Sequence, residues 1–191
     1  MDTERNTVTL FSPQAEAVWD ALMRDGVAYS RREYITKKYE ESAGIFLAAY
    51  DVYINEACRI VPRPDDRAYP YWAFASKEQL DLSGGGRVMT LEVPVNEAVF
   101  FDQYDWYKVL RLSYIGESEE DEAAFARKLA MRGIRDSSEA VLKPFYPDIR
   151  REITGSWKRL FRHDGAIKKG DASSVRAVQA GLWCIKKEWL I

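Results

Sequence analysis

Six side chains have the chemical types from which a ligand site could be built. Aromatic rings can stack on a planar ligand, while amide and carboxylate groups can hydrogen-bond its polar edges. We expect the six to line one concave cleft. They are Gln14, Tyr50, Trp72, Asp102, Trp106 and Gln179.

Gln179 differs from the other five because the alternation of its strand predicts that its polar side chain is buried. Residues 175–185 alternate between two sets of side chains, which predicts a strand. Gln179 shares its side of that strand with Val175, Ala177 and Trp183, so its amide faces the core. A buried amide must find hydrogen-bond partners, and these come from the backbone or from a ligand.

Two carboxylates near the end of a predicted strand, Asp102 and Asp105, could bind a metal or act as general acid and base. Helix capping explains at least one of them without any function. We assign the cap to Asp105 and leave the role of Asp102 open. Asp51 lies within a predicted helix, where aspartate is a poor helix former. We therefore expect it to form a buried ion pair with an arginine such as Arg87.

The tryptophans and the single histidine each have a structural explanation as well. Trp72 and Trp106 could be the walls of a cleft around a planar ligand, or they could pack in the core, as most large rings do. His163 follows an amphipathic segment and is expected at a helix C-terminus, where the helix dipole favours it. One histidine cannot form a multi-histidine zinc site, and the chain has no G-x-S-x-G sequence.

Size, charge and cysteine content limit the classes of protein to consider. The chain has 191 residues and a mass of 22.0 kDa, which fits one domain over residues 1–191. Its net charge of −2 gives no global basic field, so the charge does not indicate nucleic-acid binding. Cys58 and Cys184 are far apart, and we expect reduced thiols. There is no signal-like leader and no apolar run of about 20 residues, which predicts a soluble, cytoplasmic protein without membrane contact.

The first 26 residues predict a strand, a helix and a glycine stop. Val8–Phe11 is a short strand, and Ser12 followed by Pro13 is typical of a helix N-cap and first helical position. Apolar residues between positions 15 and 23 then keep helical spacing until Gly26.

The later elements give the fold class. Helical spacing from Ile45 to Ile60 predicts a long helix that ends at Val61, before Pro62. The expected fold is α+β, a small mixed or mostly antiparallel sheet packed by four or five helices in a single domain. Further predicted elements are a polar loop at 63–68, a glycine turn at 84–86, strands at Tyr71–Ala75, Arg87–Val93 and Ala98–Phe101, and helices through Trp106, over Ala123–Arg132 and over Ile149–Phe161.

Six short sequence blocks are distributed over nearly the whole chain. They are L-F-S-x-Q…W-x-x-L…G at Leu10–Gly26, A-Y-D at Ala49–Asp51, Y-P-x-W-A-F at Tyr69–Phe74, L-E-V-P with a following F-x-D…W…V-L across Leu91–Leu110, S-W…L-F at Ser156–Phe161 and V-Q-A-x-L-W-x-I at Val178–Ile185. In this combination the chain resembles DUF3841, an uncharacterised bacterial family. The resemblance implies a single intact domain and does not imply an activity.

A separate similarity is to the start of ADP-ribosyltransferase-type domains, which open with a strand that carries a hydroxyl residue and a helix that ends near a glycine. Those domains bind NAD in a split-sheet cleft lined by aromatic residues, so the similarity implies NAD as a cofactor. Two features depart from their pattern: His163 lies far past the first strand, and no unambiguous catalytic Glu stands before a strand.

Two functions follow from these observations as hypotheses. The first is a small-ligand-binding enzyme domain with an aromatic cleft, in its specific form an NAD-dependent ADP-ribosyltransferase. The second is a non-catalytic protein-interaction module, such as a toxin–antitoxin or phage-related accessory protein.

Overall fold

A computed structural model describes residues 6–39, 43–66, 68–83 and 85–191 and shows the predicted α+β fold. The strands are β1 (Thr7–Gln14), β2 (Val27–Ala28), β3 (Ser30–Arg31), β4 (Ala68–Tyr69), β5 (Tyr71–Phe74), β6 (Arg87–Pro94), β7 (Ala98–Asp102), β8 (Val178–Leu182) and β9 (Ile185–Lys186). The α-helices are α1 (Glu16–Asp25), α2 (Arg32–Tyr39), α3 (Ala43–Ala57), α4 (Gln103–Leu110), α5 (Glu119–Met131), α6 (Ser137–Leu142), α7 (Pro147–Ser156) and α8 (Asp164–Lys168). Within these described residues, none of the helices has both the length and the apolar character needed to span a bilayer.

The central sheet has five strands in the order β6-β1-β5-β8-β7, and every neighbouring pair is antiparallel. Two small ribbons, β2 with β9 and β3 with β4, lie beside it. The prediction of a small, mostly antiparallel sheet is therefore confirmed, although the described residues form eight α-helices where four or five were expected.

Strand register divides the side chains of the central sheet between two faces. Phe101 pairs with Gln179 and Val99 with Gly181, so these positions share one face, which we call the helical face because α3, α4 and α7 cover it. The intervening residues, Phe100 among them, point to the other face, which we call the α1 face because α1 packs there.

The helical face has the larger core. Tyr53 of α3, Ile149 and Ile153 of α7, and Leu160 of a 3-10 turn that follows α7 are all fully buried against one another or against the sheet. Burying each apolar side chain of this size stabilises the fold by roughly 1.5–3 kcal/mol. On the α1 face, Leu22 of α1 packs among buried strand side chains, and Gly26, at φ 77°, ends the helix as predicted.

The predicted helix N-cap at Ser12 is wrong, because β1 continues to Gln14. Ser12 is fully buried and pairs with Met89 of β6, and its hydroxyl donates to the backbone carbonyl of Trp72 at 2.7 Å. Helix α1 instead begins after Ala15, which makes no side-chain cap bond. A serine hydroxyl that finds a cross-strand acceptor no longer favours a cap, so sheet pairing overrides the local sequence preference.

Element boundaries also differ from the prediction: α5 begins at Glu119, four residues before the predicted Ala123, and three other elements end early or divide. Helix α3 ends at Ala57 rather than Val61, because the N–H groups of Arg59 and Ile60 bond to carbonyls three residues back, as in a tightened last turn. The helix predicted over Ile149–Phe161 divides into α7 and a 3-10 turn that starts at Trp157. The strand predicted over 175–185 divides into β8 and β9.

The turn into β6 depends on glycine. Gly84 lies outside the described residues, whereas Gly85 and Gly86 have positive φ values of 68° and 97°. A Cβ on Gly86 would also come within 2.5 Å of the backbone oxygen of Gln14. The glycine turn predicted at 84–86 therefore has a steric reason as well as a conformational one.

The outer edge of β7 is covered by α8. The carboxylate of Asp164 accepts the backbone N–H of Phe100 at 2.8 Å and pairs with Lys168 at 2.8 Å. This contact satisfies an edge N–H group that would otherwise be open to pairing with another chain.

Cys58 and Cys184 are both free thiols, as expected, and Cys184 predicts a specific pH dependence. Burial raises the pKa of the Cys184 thiol from 9.0 to about 11. Because the folded pKa lies above the unfolded one, the neutral thiol stabilises the fold below pH 9, and this contribution is lost between pH 9 and 11.

Urea unfolding at pH 8, 9 and 10.5 tests this expectation with Cys184→Ala as the reference. The stability advantage of the native chain over the variant should shrink as the pH rises. An advantage that stays constant across this range would contradict the buried, neutral thiol.

Candidate functional site

Three of the six predicted ligand residues converge on the helical face. The indole N–H of Trp72 donates to the Tyr50 hydroxyl at 2.7 Å, and the ring centroids of Trp72 and Trp106 are 5.0 Å apart. Tyr50 meets Trp106 edge to face at 5.7 Å. With Tyr53 and Phe101 these residues form a packed group of rings, which we call the aromatic cluster. The cluster is part of the core, because its rings contact one another rather than an open cleft.

Tyr53 lies at the centre of the aromatic cluster and packs directly on the backbone of β8. It is almost completely buried, and burial raises the pKa of its hydroxyl well above the usual value. A Cβ on Gly181 would overlap the Tyr53 hydroxyl and come within 2.8 Å of the ring carbon that bears it. The cluster can approach the sheet this closely because position 181 has no side chain.

Gln179 lies on the helical face, where it pairs with Phe74 on one side and Phe101 on the other. Gln179 is only 3% exposed, and its side-chain oxygen Oε1 has no hydrogen-bond partner among the described residues. An unsatisfied buried acceptor costs about 1–3 kcal/mol, so this oxygen would gain from any N–H or O–H donor that reached it. That a ligand supplies the donor stays a prediction.

The remaining two predicted residues, Gln14 and Asp102, lie on the α1 face. Asp102 pairs with Val178, one residue along β8 from Gln179, so the two side chains project from opposite faces. The amide of Gln14 donates to the hydroxyl of Ser12 at 2.9 Å. The sheet therefore separates this pair from the four residues on the helical side, and the expectation that all six line one cleft is wrong.

Asp102, and not Asp105, caps α4, which reverses the assignment made from the sequence. Its Oδ1 accepts the N–H of Tyr104 at 2.9 Å, and its Oδ2 accepts the N–H of Arg176 at 3.1 Å. Both carboxylate oxygens thus bond to backbone, which gives the residue a structural role.

Asp105 is instead a buried carboxylate at the centre of a partly exposed ion-pair network. Its Oδ1 lies 3.2 Å from Nζ of Lys108 and its Oδ2 lies 3.0 Å from Arg162, while Lys108 also contacts Glu122 of α5. Arg162 in turn donates from Nε to Nε2 of His163 at 3.0 Å. The predicted helix C-terminal position of His163 is wrong, because α8 begins directly after it.

The predicted buried ion pair of Asp51 with an arginine such as Arg87 is wrong in its burial and in the arginine named. Arg87 lies in β6 and pairs with Glu16. Asp51 is half exposed on α3, where it lies 3.9 Å from Arg32 and accepts a hydrogen bond from the Tyr69 hydroxyl at 3.3 Å. Asp51 thus has the specific partners that its position within a helix predicted, but these partners lie at a surface cavity.

This polar cavity has a volume of about 480 Å³ and lies against α2, α3 and β4. The volume falls within the range of roughly 300–1,000 Å³ that is usual for small-molecule sites. The lining combines both signs of charge with an amide and a phenol: Arg32, Glu33, Asp51, Ile54, Asn55, Arg63, Asp66 and Tyr69.

Tyr69 joins the polar cavity to the aromatic cluster. Its ring stacks on that of Tyr50, with centroids 6.0 Å apart and planes inclined by 26°. The guanidinium of Arg63 lies 5.9 Å from the Tyr69 centroid, and its Nε donates to the carbonyl of Ala68 at 2.8 Å. Burial raises the pKa of the Tyr69 hydroxyl, and the Asp51 carboxylate raises it further. The hydroxyl therefore stays protonated at neutral pH and acts as a hydrogen-bond donor.

The sequence interpretation missed this cavity because it treated residues 63–68 as an ordinary polar loop. The sequence R-P-D-D-R-A places both signs of charge directly before the aromatic block at Tyr69–Phe74. That adjacency is the pattern that could have indicated a site. No group of three or more His, Cys, Asp or Glu side chains suited to a metal ion occurs in the described part of the chain.

Comparison with known proteins gives one match. Residues 9–191 match the family model described as Domain of unknown function (DUF3841). No curated protein and no solved structure matches the chain. The match spans nearly the whole chain, including the residues of the polar cavity and the aromatic cluster.

Proposed function

The chain belongs to the DUF3841 family, and we propose that its domain binds a small, nucleotide-like ligand in the polar cavity. The observation that carries the proposal is the combination, in one cavity of about 480 Å³, of two guanidinium groups with a tyrosine ring backed by the aromatic cluster. Arg32 and Arg63 suit phosphate oxygens. Tyr69 offers a phenol for hydrogen bonding and a ring that is fixed from behind by Tyr50.

The mixed charge of the cavity favours NAD within this ligand class. NAD carries a negative diphosphate, two sugars rich in hydroxyl groups and a positive pyridinium ring. The arginines suit the diphosphate, while Glu33, Asp51 and Asp66 suit ribose hydroxyls or the pyridinium. A ligand with phosphates alone would leave the three carboxylates opposed to its charge.

In its specific form the proposal is an NAD-dependent ADP-ribosyltransferase. The reaction breaks the bond between ribose C1′ and the nicotinamide nitrogen, and the bonding electrons leave with neutral nicotinamide. An acceptor oxygen or nitrogen then bonds to C1′ and loses its proton. Positive charge that develops on the ribose is stabilised by a nearby carboxylate, and the carboxylates of the polar cavity supply this group.

Calorimetric titration with NAD, ADP-ribose, ATP and nicotinamide tests the proposal. We expect NAD or another phosphate-bearing ligand to bind and Arg32→Gln to weaken binding about tenfold, the effect of losing about 1.4 kcal/mol of charged hydrogen bonding. Arg24→Gln is the matched control, because Arg24 is also an exposed arginine paired with an aspartate but lies on α1. Absence of binding by all four ligands, or equal effects of the two substitutions, would overturn the proposal.

A non-catalytic protein-interaction module, of the toxin–antitoxin or phage-related accessory type, is the second candidate. The observation that favours it is a set of large apolar side chains exposed near α6. We place the protein in the bacterial cytoplasm in both cases, since two free thiols suit a reducing compartment.

A further inference from the structure

We infer that a surface formed by Met131, Leu142 and Phe145 docks an acidic, amphipathic helix of a partner protein. We call it the Phe145 surface. The inference rests on the second candidate function, the protein-interaction module, and names the kind of partner that it binds. It does not depend on ligand binding at the polar cavity.

The Phe145 surface consists of three large apolar side chains that are mostly exposed to solvent. Met131 is 83% exposed, Leu142 58% and Phe145 74%. Isolated exposed apolar residues are ordinary, but several large ones that lie together are typical of an interaction site.

An ion pair holds two of the elements that carry these residues next to each other. Arg132, directly after Met131, contacts Asp148 with Nη1 2.6 Å from Oδ2. This contact places the end of α5 beside the start of α7, and Phe145 precedes Asp148 by only three residues. Leu142 ends α6, which packs on α7.

The Phe145 surface is also anchored to the core. Leu129, Val141 and Tyr146, each close in sequence to one of the exposed residues, are half-buried against the main hydrophobic cluster. A docked helix would therefore meet a preformed surface and would not have to order it.

The charge around the Phe145 surface indicates the chemistry of the partner. Residues 127–151 contain seven Lys and Arg against three Asp and Glu, a net charge of +4, although the whole chain has a net charge of −2. Arg127, Arg135, Arg150 and Arg151 are exposed there. A basic rim around apolar anchors is complementary to a helix with an apolar face and acidic flanks.

A second copy of this chain is a poorer occupant. Its most acidic run, at 117–122, already bonds within the chain: Glu117 pairs with Arg159, and the Asp121 carboxylate accepts from the Tyr114 hydroxyl at 3.0 Å. A nucleic acid would use the basic rim but would leave Met131 and Leu142 without apolar contacts.

Fluorescence anisotropy with labelled synthetic helices tests the inference. The set contains acidic helices with Leu and Phe at i, i+3, i+4 and i+7, together with scrambled and lysine-containing versions of the same peptides. We expect an acidic amphipathic helix to bind and Phe145→Ser or Leu142→Ser to weaken binding about tenfold, as expected for a buried anchor. Leu82→Ser is the matched control, since Leu82 is also 58% exposed but lies before β6.

Several outcomes would overturn the inference. One is that no acidic amphipathic helix binds. Others are that the scrambled or lysine-containing peptides bind equally well, or that Leu82→Ser weakens binding as much as Leu142→Ser does. Self-association that Phe145→Ser abolishes, or binding of a single-stranded oligonucleotide in place of the peptides, would assign the surface to another occupant. Nucleotide titration of Phe145→Ser keeps the two proposals apart, because ligand binding should be unchanged.

Discussion

Replacing Gly181 with alanine should lower the free energy of unfolding by about 3 kcal/mol, near the upper end of the usual cost of overpacking a core. The added Cβ would overlap the hydroxyl of Tyr53 and come within 3.2 Å of Trp72. Tyr53 cannot simply move aside, because Trp106 and Phe101 pack against its ring. Urea denaturation followed by tryptophan fluorescence measures the loss.

Two further variants separate overpacking from other effects of the substitution. Tyr53→Phe removes the atom nearest to the new Cβ, so combining it with Gly181→Ala should recover part of the lost stability. Gly155→Ala is the matched control: it lies in α7 with nothing within 4 Å of its added Cβ, and it should leave stability unchanged or raise it by up to about 1 kcal/mol. Equal costs for the two glycine substitutions would contradict the packing of the aromatic cluster on β8.

Replacing Asp102 with alanine should lower the free energy of unfolding by about 2 kcal/mol, because two backbone N–H groups lose their acceptor. These are the N–H groups of Tyr104, in the first turn of α4, and of Arg176, in the segment before β8. Ligand binding at the polar cavity should not change, since Asp102 lies on the α1 face.

Asp136→Ala is the matched control for the loss of a cap. Asp136 is exposed and its carboxylate accepts the single backbone N–H of Ser138, at 2.7 Å, so its removal should cost about 1 kcal/mol. The stability loss of Asp102→Asn should fall between those of Asp136→Ala and Asp102→Ala, because one side-chain oxygen remains as an acceptor. If Asp102→Ala kept full stability and lost ligand binding, the residue would be functional and its structural role would be contradicted.

Two strands of the central sheet were predictable from their side chains. Arg87–Val93 alternates with the period of a strand, Ala98–Phe101 is a short continuous apolar run, and both strands form with nearly the expected bounds. Register was not predictable from one strand at a time. The separation of Asp102 from Gln179 follows from which residue of β7 pairs with which residue of β8, and that is decided by long-range contacts.

The N-cap predictions were wrong for a related reason, since long-range contacts also decide which residue caps a helix. Ser12 and Asp105 each have the type and local position of an N-cap. Tertiary partners decide their roles instead: Ser12 bonds to the backbone of Trp72, and Asp105 meets Arg162, which lies far along the chain. Local preference is worth about 1 kcal/mol and is easily outweighed by such contacts.

Only the meeting of the aromatic residues was predictable. Tyr50, Trp72 and Trp106 do come together, but they pack in the core and do not line a cleft. The polar part lies elsewhere, in residues that looked like a solvated loop and a charged helix. Arg32 and Arg63 are distant in sequence and line the same cavity only through the folding of α2, α3 and β4. No spacing rule connects such positions.

An NMR titration of the ¹⁵N-labelled chain with NAD, and then with ATP, tests ligand binding at the polar cavity most directly. The proposal predicts that the amide signals of Asp51, Asn55, Arg63 and Tyr69 shift with a common saturation curve, while those of Asp102 and Phe145 do not move. Shifts that centre on any other part of the chain, or no shift with either nucleotide, would contradict it.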